Sequence, residues 1–361
     1  MTSKIVNIAL GSCCYDIYIN DSCFDFGPIR DLLPNRKIAI VSNETVAPIY
    51  LDQLISTLSV DQENIYSCIL PDGEQYKNYK SWLKILDFLA ENNFNRTDLL
   101  ISLGGGVICD MTGFAAASWM RGIDFIQVPT SLLAQVDASV GGKTGINHSK
   151  GKNLIGAFHQ PKAVIINTST LKTLPLREFK SGLGETIKYG LINQIEFKYW
   201  LERNASDILN QDLSTLTQLI AQCCQFKADI VQLDERESGI RALLNLGHTF
   251  AHAIETLTSY TRYTHGEAVA IGMVIAAELS DVLKLSNGSL RKETQKHLHD
   301  FRLLTMLPND LDAQQLLNLM RLDKKVVNNS HRLILMKSLG DALIQKDVCE
   351  EDILQAILNC Q

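Results

Sequence analysis

The sequence predicts an α/β first half built on a mostly parallel sheet, followed by a helical second half. Up to about residue 170, short β-branched runs alternate with amphipathic stretches, the rhythm of strands and helices covering both faces of a sheet. From about Leu174 the apolar spacing lengthens to a 3.6-residue period. A chain of 361 residues exceeds one ordinary core. Two domains are therefore expected, residues 1–173 and residues 174–361, with a site at their junction.

Taken in order, strands are expected from Lys37 to Asn43, Ile65 to Leu70, Leu99 into the glycines ending at Gly106, Phe125 to Pro129, and Ala163 to Asn167. Helices are expected from Val46 to Leu58, Trp82 to Ala90 and Val107 to Ser118. The Thr-rich connection from Thr168 to Pro175 marks the boundary. Long helical segments follow from Phe179 to Ile192, Phe197 to Leu209, Leu213 to Leu233, Leu243 to Leu257 and Glu267 to Leu283.

Composition removes several classes. A net charge of -6 without a block of like charge argues against a nucleic-acid partner. The longest apolar stretch, Ala268 to Leu279, is about half the length that crosses a bilayer and reads as a buried helix. The first ten residues, MTSKIVNIAL, do not match a secretory signal, so a cytoplasmic protein is expected. Nine cysteines is an odd count with no C-x-x-C pair, which predicts reduced thiols.

Two regions carry chemistry. Gly104-Gly105-Gly106 joins a predicted strand to a predicted helix, where a backbone without Cβ atoms either receives a pyrophosphate or packs closely on the strand. Asp72 to Lys77 follows another strand end and offers carboxylates and a lysine, as a nucleotide edge or as a solvated turn. In the second half, His248 and His252 share a helical face, and His265 stands at the start of the next helix. Glu185 lies on a separate helix, with Lys188 three residues on. One Glu and two of these three His would suit a catalytic Zn²⁺ with an open position.

These residues fall within PDGEQYK, GGGVICDMTGFAA, VPTSLLAQVDASVGGKTGIN, GKNLIGAFHQP, SGLGETIKYG, RALLNLGHTFAHAIE and HGEAVAIGM. Across most of the chain from Asp72 to Met273, the sequence resembles the 3-dehydroquinate synthases of the sugar-phosphate cyclase superfamily. The resemblance implies an N-terminal Rossmann-like NAD domain and a helical C-terminal domain holding metal and substrate. It implies a homodimer that turns 3-deoxy-D-arabino-heptulosonate 7-phosphate into 3-dehydroquinate and phosphate. The implied steps are transient oxidation at C5 by NAD, phosphate elimination, re-reduction, ring opening and aldol closure, so cofactor and metal must address one carbon.

Position by position, the resemblance implies metal ligands Glu185, His248 and His265, with Zn²⁺ or Co²⁺ as the ion. It implies NAD contacts at Asp72, Gly73, Glu74, Gln75, Tyr76 and Lys77, and at Gly106, Val107, Ile108, Cys109 and Asp110. Further NAD contacts are implied at Thr130, Ser131, Lys143, Lys152, Thr170, Leu171, Lys172 and Thr173. Implied substrate contacts are Asp137, Lys143, Lys152, Asn153, Lys188, Lys227, Glu237, Arg241, Asn245 and His252, with Lys324 or Lys325 in a later motif. Arg121 is implied to reach the phosphate site of a neighbouring subunit. The chain departs from commoner forms at Ser131 for threonine, Cys109 for glycine and Gly184 for alanine; Cys109 is expected to adjust the glycine turn.

His265 at a helix N-terminus is expected to stay neutral, because positive charge is disfavoured there. No residue stands out as a dedicated strong base. Three rival readings remain: a polyol dehydrogenase would have no use for the basic set Lys143, Lys152, Lys227, Arg241, Lys324 and Lys325. A cyclase for sugar phosphates lacking a carboxylate would leave Arg241 and Asn245 surplus. A nucleotide sensor without catalysis would not need Glu185, His248 and His265.

Overall fold

The computed structural model describes residues 2–10, 13–237, 239–321 and 331–361. Lys324 and Lys325 lie outside the described residues. The chain forms two compact units, Met1–Leu174 with Gln211–Glu235, and Pro175–Asn210 with Arg236–Gln361.

The first unit runs β1 (Ser3–Leu10), β2 (Cys13–Asn20), β3 (Ile38–Asn43), α1 (Ala47–Thr57), β4 (Ile65–Leu70) and α2 (Tyr79–Glu91). It continues through β5 (Leu99–Gly104), α3 (Gly106–Ser118), β6 (Asp124–Pro129), β7 (Lys143–His148), β8 (Gly151–Phe158) and β9 (Ala163–Asn167). Seven strands form one sheet in the order β1-β2-β9-β6-β5-β3-β4, and every pairing except β1 with β2 is parallel. β3 and β5 are buried along their whole length, as strands covered on both faces must be. Their alternate residues feed opposite cores: Ile38, Ile40, Leu99 and Ile101 pack with Tyr50 and Leu54 of α1. Ala39, Val41 and Leu100 join a cluster with Ile85 of α2 and Met111 of α3.

Because β3 lies between β4 and β5, the order of strand addition reverses there. The carboxyl ends of β3 and β5 flank the crevice in which open α/β sheets bind ligands.

The second unit holds α4 (Leu176–Ile192), α5 (Ile195–Arg203) and α6 (Ala205–Leu209). The following helix, α7 (Leu213–Leu233), belongs to the first unit and packs along β1, although its amphipathic pattern placed it in the helical half. The second unit resumes with α8 (His248–Leu257), α9 (His265–Val282), α10 (Leu290–Asp300), α11 (Ala313–Met320), the hairpin β10 (His331–Ser338) and β11 (Asp341–Val348), and α12 (Glu350–Asn359). α9 is its centre and packs against α4, α8, α10, α12 and β10. Nearly every residue from Ala268 to Leu279 is buried, consistent with an all-round apolar helix inside a helical core.

Two crossings on α9 leave no room for side chains. A Cβ on Gly266 would stand 1.8 Å from the Ser181 carbonyl oxygen, and one on Gly184 would stand 2.5 Å from the Gly266 carbonyl oxygen. A Cβ on Gly272 would stand 2.2 Å from the carbonyl oxygen of Gly247, whose φ is 78°.

Some boundaries differ from the sequence expectation. The helix expected from Phe197 to Leu209 is divided at Asn204. The segment from Leu243 to Leu257 is a 3₁₀ turn over Ile240–Asn245, then left-handed Gly247, and only then α8. The antiparallel hairpins β1/β2, β7/β8 and β10/β11 are additional to the expected strands, although Tyr15, Ile17 and Ile19 of β2 are buried at every second position. Among the described residues no helix is long and apolar enough to cross a membrane.

Gly266→Ala should lower the thermal unfolding midpoint by the equivalent of about 3 kcal/mol, because backbone rather than a yielding side chain opposes the added methyl. Gly106→Ala, whose Cβ would meet only Ala138 at 3.4 Å, should leave the midpoint at or near the parent value. Equal losses in the two variants would contradict this account of the crossing.

Candidate active site

The two α9 crossings bring three side chains together. Glu185 follows Gly184 on α4, His248 follows Gly247 at the start of α8, and His265 opens α9. His248 Nε2 lies 3.2 Å and His265 Nε2 lies 3.4 Å from the same oxygen, Glu185 Oε1. That oxygen is buried and takes no well-formed hydrogen bond. Donor atoms about 2.1 Å from a tetrahedral ion stand roughly 3.4 Å apart, so each imidazole stands at ligand spacing from the carboxylate oxygen. Among the described residues this is the group whose donor atoms all lie within 4.8 Å of one another. The donor chemistry, two imidazoles and a carboxylate, fits Zn²⁺ or Co²⁺.

Neighbouring groups orient these ligands. His248 Nδ1 is 3.1 Å from the Leu246 carbonyl, which as acceptor leaves Nε2 facing Glu185. The first turn of α9 is held by a capping box between Thr264 and Glu267, and Arg177 of α4 clasps Glu267 with a shortest contact of 2.7 Å. His265 Nδ1 lies 3.3 Å from Glu255 Oε1, a carboxylate that the motif reading passed over. Glu255 is seven residues after His248, and that two-turn spacing was its only signal. His252 stays outside the cluster, its ring centroid 5.8 Å from that of His248 and 6.3 Å from that of His265.

Burial alone would raise the Glu185 carboxyl, but Lys188 and then His248 hold it well below the usual range. The Lys188 ammonium bonds Glu185 Oε2 and is only 1% exposed, so its visible work is on the ligand. Burial pushes His248 down to about 4 despite the Glu185 charge. His265 corrects the expectation of a neutral ring. Burial opposes its charge, yet contacts to Glu185 and Glu255 raise it to about 10, outweighing the helix dipole.

The remaining residues implied by the resemblance are distributed as follows. Arg241 is among the largest fully buried side chains, at 1% exposed. Asn245 Nδ2 donates to Glu237 Oε1 at 2.6 Å. In the first unit, Lys227 Nζ of α7 donates to Asp137 Oδ1 at 2.7 Å. Lys77 is buried and donates at 2.6 Å both to Asp110 Oδ2 and to Asn153 Oδ1, joining two residues assigned to NAD with one assigned to substrate. Asn153 holds a left-handed φ of 51°. Lys143 pairs with Phe158 at the open end of the β7/β8 hairpin, whereas Lys152 lies by its turn, so the ladder separates them. Arg121 is exposed in a left-handed run, with φ of 47° at Met120, 67° at Arg121 and 122° at Gly122.

At the switch point, Asp72 accepts from Asn43 Nδ2 and from Thr45 Oγ1, each at 2.7 Å. Asn43 ends β3 and Thr45 follows it, and both were missed, since nothing in the strand pattern marks these positions. α3 has no side-chain cap, leaving its first N–H groups to backbone or ligand. Gly73, Glu74, Gln75 and Tyr76 form the turn between Asp72 and Lys77, and Tyr76 is partly exposed. Val107 is half-buried, but Ile108 and Cys109 face the core, so only their backbone can meet a ligand. Cys109 Sγ sits 3.6 Å from Ser102 Oγ and 3.7 Å from the Gly104 carbonyl oxygen, beneath the turn, with burial pushing its thiol up to about 12. Ser131 Oγ accepts from Ala134 N at 3.4 Å, and Thr130 N donates to the Gly104 carbonyl at 2.9 Å. In the last turn, Thr170 and Leu171 are buried, Thr170 Oγ1 accepting from Gln135 Nε2 at 3.1 Å, while Lys172 and Thr173 face outward.

Metal uptake by chelator-treated protein should release one proton per ion at pH 7.5. At that pH His265, raised to about 10, carries a proton that the ion must displace, whereas His248, lowered to about 4, does not. Affinity should therefore rise about tenfold per pH unit from roughly 7 to 9. Calorimetry in buffers of different ionisation enthalpy measures this number, and zero or two protons would contradict the assignment.

Comparison with known proteins agrees along the chain. Residues 67–181 match the family description "3-dehydroquinate synthase N-terminal", and residues 182–326 match "3-dehydroquinate synthase C-terminal". A 3-dehydroquinate synthase of Shewanella pealeana is 48% identical over 99% of each chain. One of Psychrobacter cryohalolentis is 54% identical over 88% of this chain and 86% of its own. Among solved structures, a 2-deoxy-scyllo-inosose synthase complexed with carbaglucose-6-phosphate, NAD⁺ and Co²⁺ superposes with a TM-score of 0.88, at 22% identity over the whole of both chains. A 2-epi-5-epi-valiolone synthase from Streptomyces hygroscopicus subsp. jinggangensis with NAD⁺ and Zn²⁺ bound gives 0.86, at 25% identity over 96% of each. Motifs, fold and near full-length likeness converge: the chain belongs to the 3-dehydroquinate synthase family.

Proposed function

We propose that this chain converts 3-deoxy-D-arabino-heptulosonate 7-phosphate into 3-dehydroquinate and phosphate, the cyclisation step of the shikimate pathway, as an NAD- and metal-dependent carbon–oxygen lyase. The buried Glu185, His248 and His265 cluster, at ion-ligand spacing in a chain of this family, carries the reading. When bound, NAD supplies reversible oxidation of the C5 alcohol, and Zn²⁺ or Co²⁺ supplies Lewis acidity at the adjacent oxygens.

Residues 1–173 are read as the NAD domain and residues 174–361 as the metal and substrate domain, with Lys227 a substrate contact. Glu185, His248 and His265 hold the ion, and Lys188 keeps Glu185 ionised. Lys152, Asn153 and His252 take the substrate phosphate, and the Arg241 fork takes the carboxylate, which no neutral side chain could satisfy as well. Lys143, Lys227 with Asp137, and Asn245 with Glu237 hold the remaining polar groups. The nucleotide lies along Asp72 to Lys77, the backbone of Gly106 to Asp110, Thr130, Ser131 and the outward Lys172 and Thr173. The fold itself does not require glycine at 106, since a Cβ there meets only Ala138 at 3.4 Å, and the open space at the start of α3 suits a pyrophosphate. The departing phosphate accepts the C6 proton, leaving the chain to position groups. We read the protein as cytoplasmic; among the described residues its nine cysteines form no disulfide.

With substoichiometric NAD⁺, purified metal-loaded protein should release many equivalents of phosphate while NADH absorbance stays near zero. Substrate deuterated at C5 should keep its label in the product. An analogue lacking the carboxylate should lose at least about tenfold in kcat/KM, roughly 1.4 kcal/mol. Stoichiometric NADH would mean a dehydrogenase, and an undiminished rate on the analogue would remove Arg241 from the carboxylate.

A homodimer is the second part of the proposal, resting on the exposed left-handed turn that presents Arg121. Mixing an Arg121→Ala chain with a Lys152→Ala chain, each inactive alone, should restore activity by leaving one intact site in some heterodimers. No recovery would exclude a shared site.

A further inference from the structure

We propose that Glu255 is a positioning residue for the metal centre, fixing His265 as a ligand through its Nδ1. The inference rests on the reading that Glu185, His248 and His265 hold a divalent ion. Glu255 lies in the last turn of α8, where the helix dipole disfavours negative charge, and it is 2% exposed. A carboxylate in such a place is unfavourable on both counts unless a positive or donating partner compensates it.

One compensating partner is His265, whose Nδ1 stands 3.3 Å from Glu255 Oε1. Donation of the Nδ1 proton to Glu255 holds the ring, so that Nε2, once the ion displaces its proton, presents its lone pair on the side of Glu185 Oε1, 3.4 Å away. The geometry has little freedom. The α8 and α9 backbones meet at Gly247 and Gly272, and the Thr264/Glu267 capping box fixes the first turn of α9. Glu255 and His265 are thus carried toward each other by two rigid elements. Its negative charge also partly offsets an incoming dication that Glu185 alone, already bonded to Lys188, compensates poorly.

Chelator-stripped full-length protein would be titrated with Zn²⁺ and Co²⁺ for the parent, Glu255→Gln, Glu255→Ala and His265→Ala. Glu255→Gln keeps an acceptor but loses the charge and should weaken binding about tenfold; Glu255→Ala loses both and should weaken it about a hundredfold. The visible bands of the Co²⁺ form should shift in Glu255→Ala as the His265 ring reorients, while NAD⁺ binding stays at the parent value. Parental affinity and spectrum in both Glu255 variants would overturn the proposal. If His265→Ala alone loses the ion, only the positioning role of Glu255 falls; if it too binds as the parent does, the metal reading itself falls. Should metal-free Glu255→Ala fail to unfold cooperatively, the isosteric Glu255→Gln decides alone.

Discussion

The close approach of α4 and α9 at Gly184, Gly266 and Ser181 is the constraint on which the metal centre depends. Ion ligation tolerates displacements of only a few tenths of an ångström, and flexible side chains alone do not supply that precision. Here it comes from main-chain contact. Glu185 and His265 are each one residue from a glycine at the crossing, and His248 follows the glycine at which α8 meets α9. Gly184 lets the two backbones close up, since a Cβ there would stand only 2.5 Å from the Gly266 oxygen.

The charges follow from that packing. Glu185 is fully buried, and the Lys188 contact one turn further along α4 keeps it anionic without reaching outside the helix. The first unit uses the same device, with buried Lys77 gathering Asp110 and Asn153 from α3 and β8, and Lys227 holding Asp137. Each pairing satisfies a charge that burial would otherwise penalise, and each involves residues read as touching nucleotide or substrate.

Much of this was legible in residues alone. Strands such as IAIVSN and LLISLG are mostly apolar without alternation, which marks a strand buried on both faces, and α9 was recognisable as an apolar helix too short for a membrane. Other features were not. Amphipathic periodicity says that α7 buries one face but not against which unit, and the segment carrying Lys227 clusters with the first. Gly247 interrupts a continuous apolar period, because a left-handed residue changes direction without changing hydrophobicity. Nothing in the sequence marked Glu255 as buried, since that burial comes with the packing of α8 against α9. The ligand triad itself needed family likeness, because spacing alone offered three histidines for two places.

Glycine beside each ligand also bears on how such a centre can change over time. At Gly247 and Gly266 a Cβ would meet main chain at 2.7 and 1.8 Å, so a ligand cannot migrate onto either position without separating the helices. What remains open to variation is the donor atom at a fixed address. A descendant of this fold that prefers a softer or harder ion should therefore carry a different side chain at 185, 248 or 265 rather than a ligand at a new position.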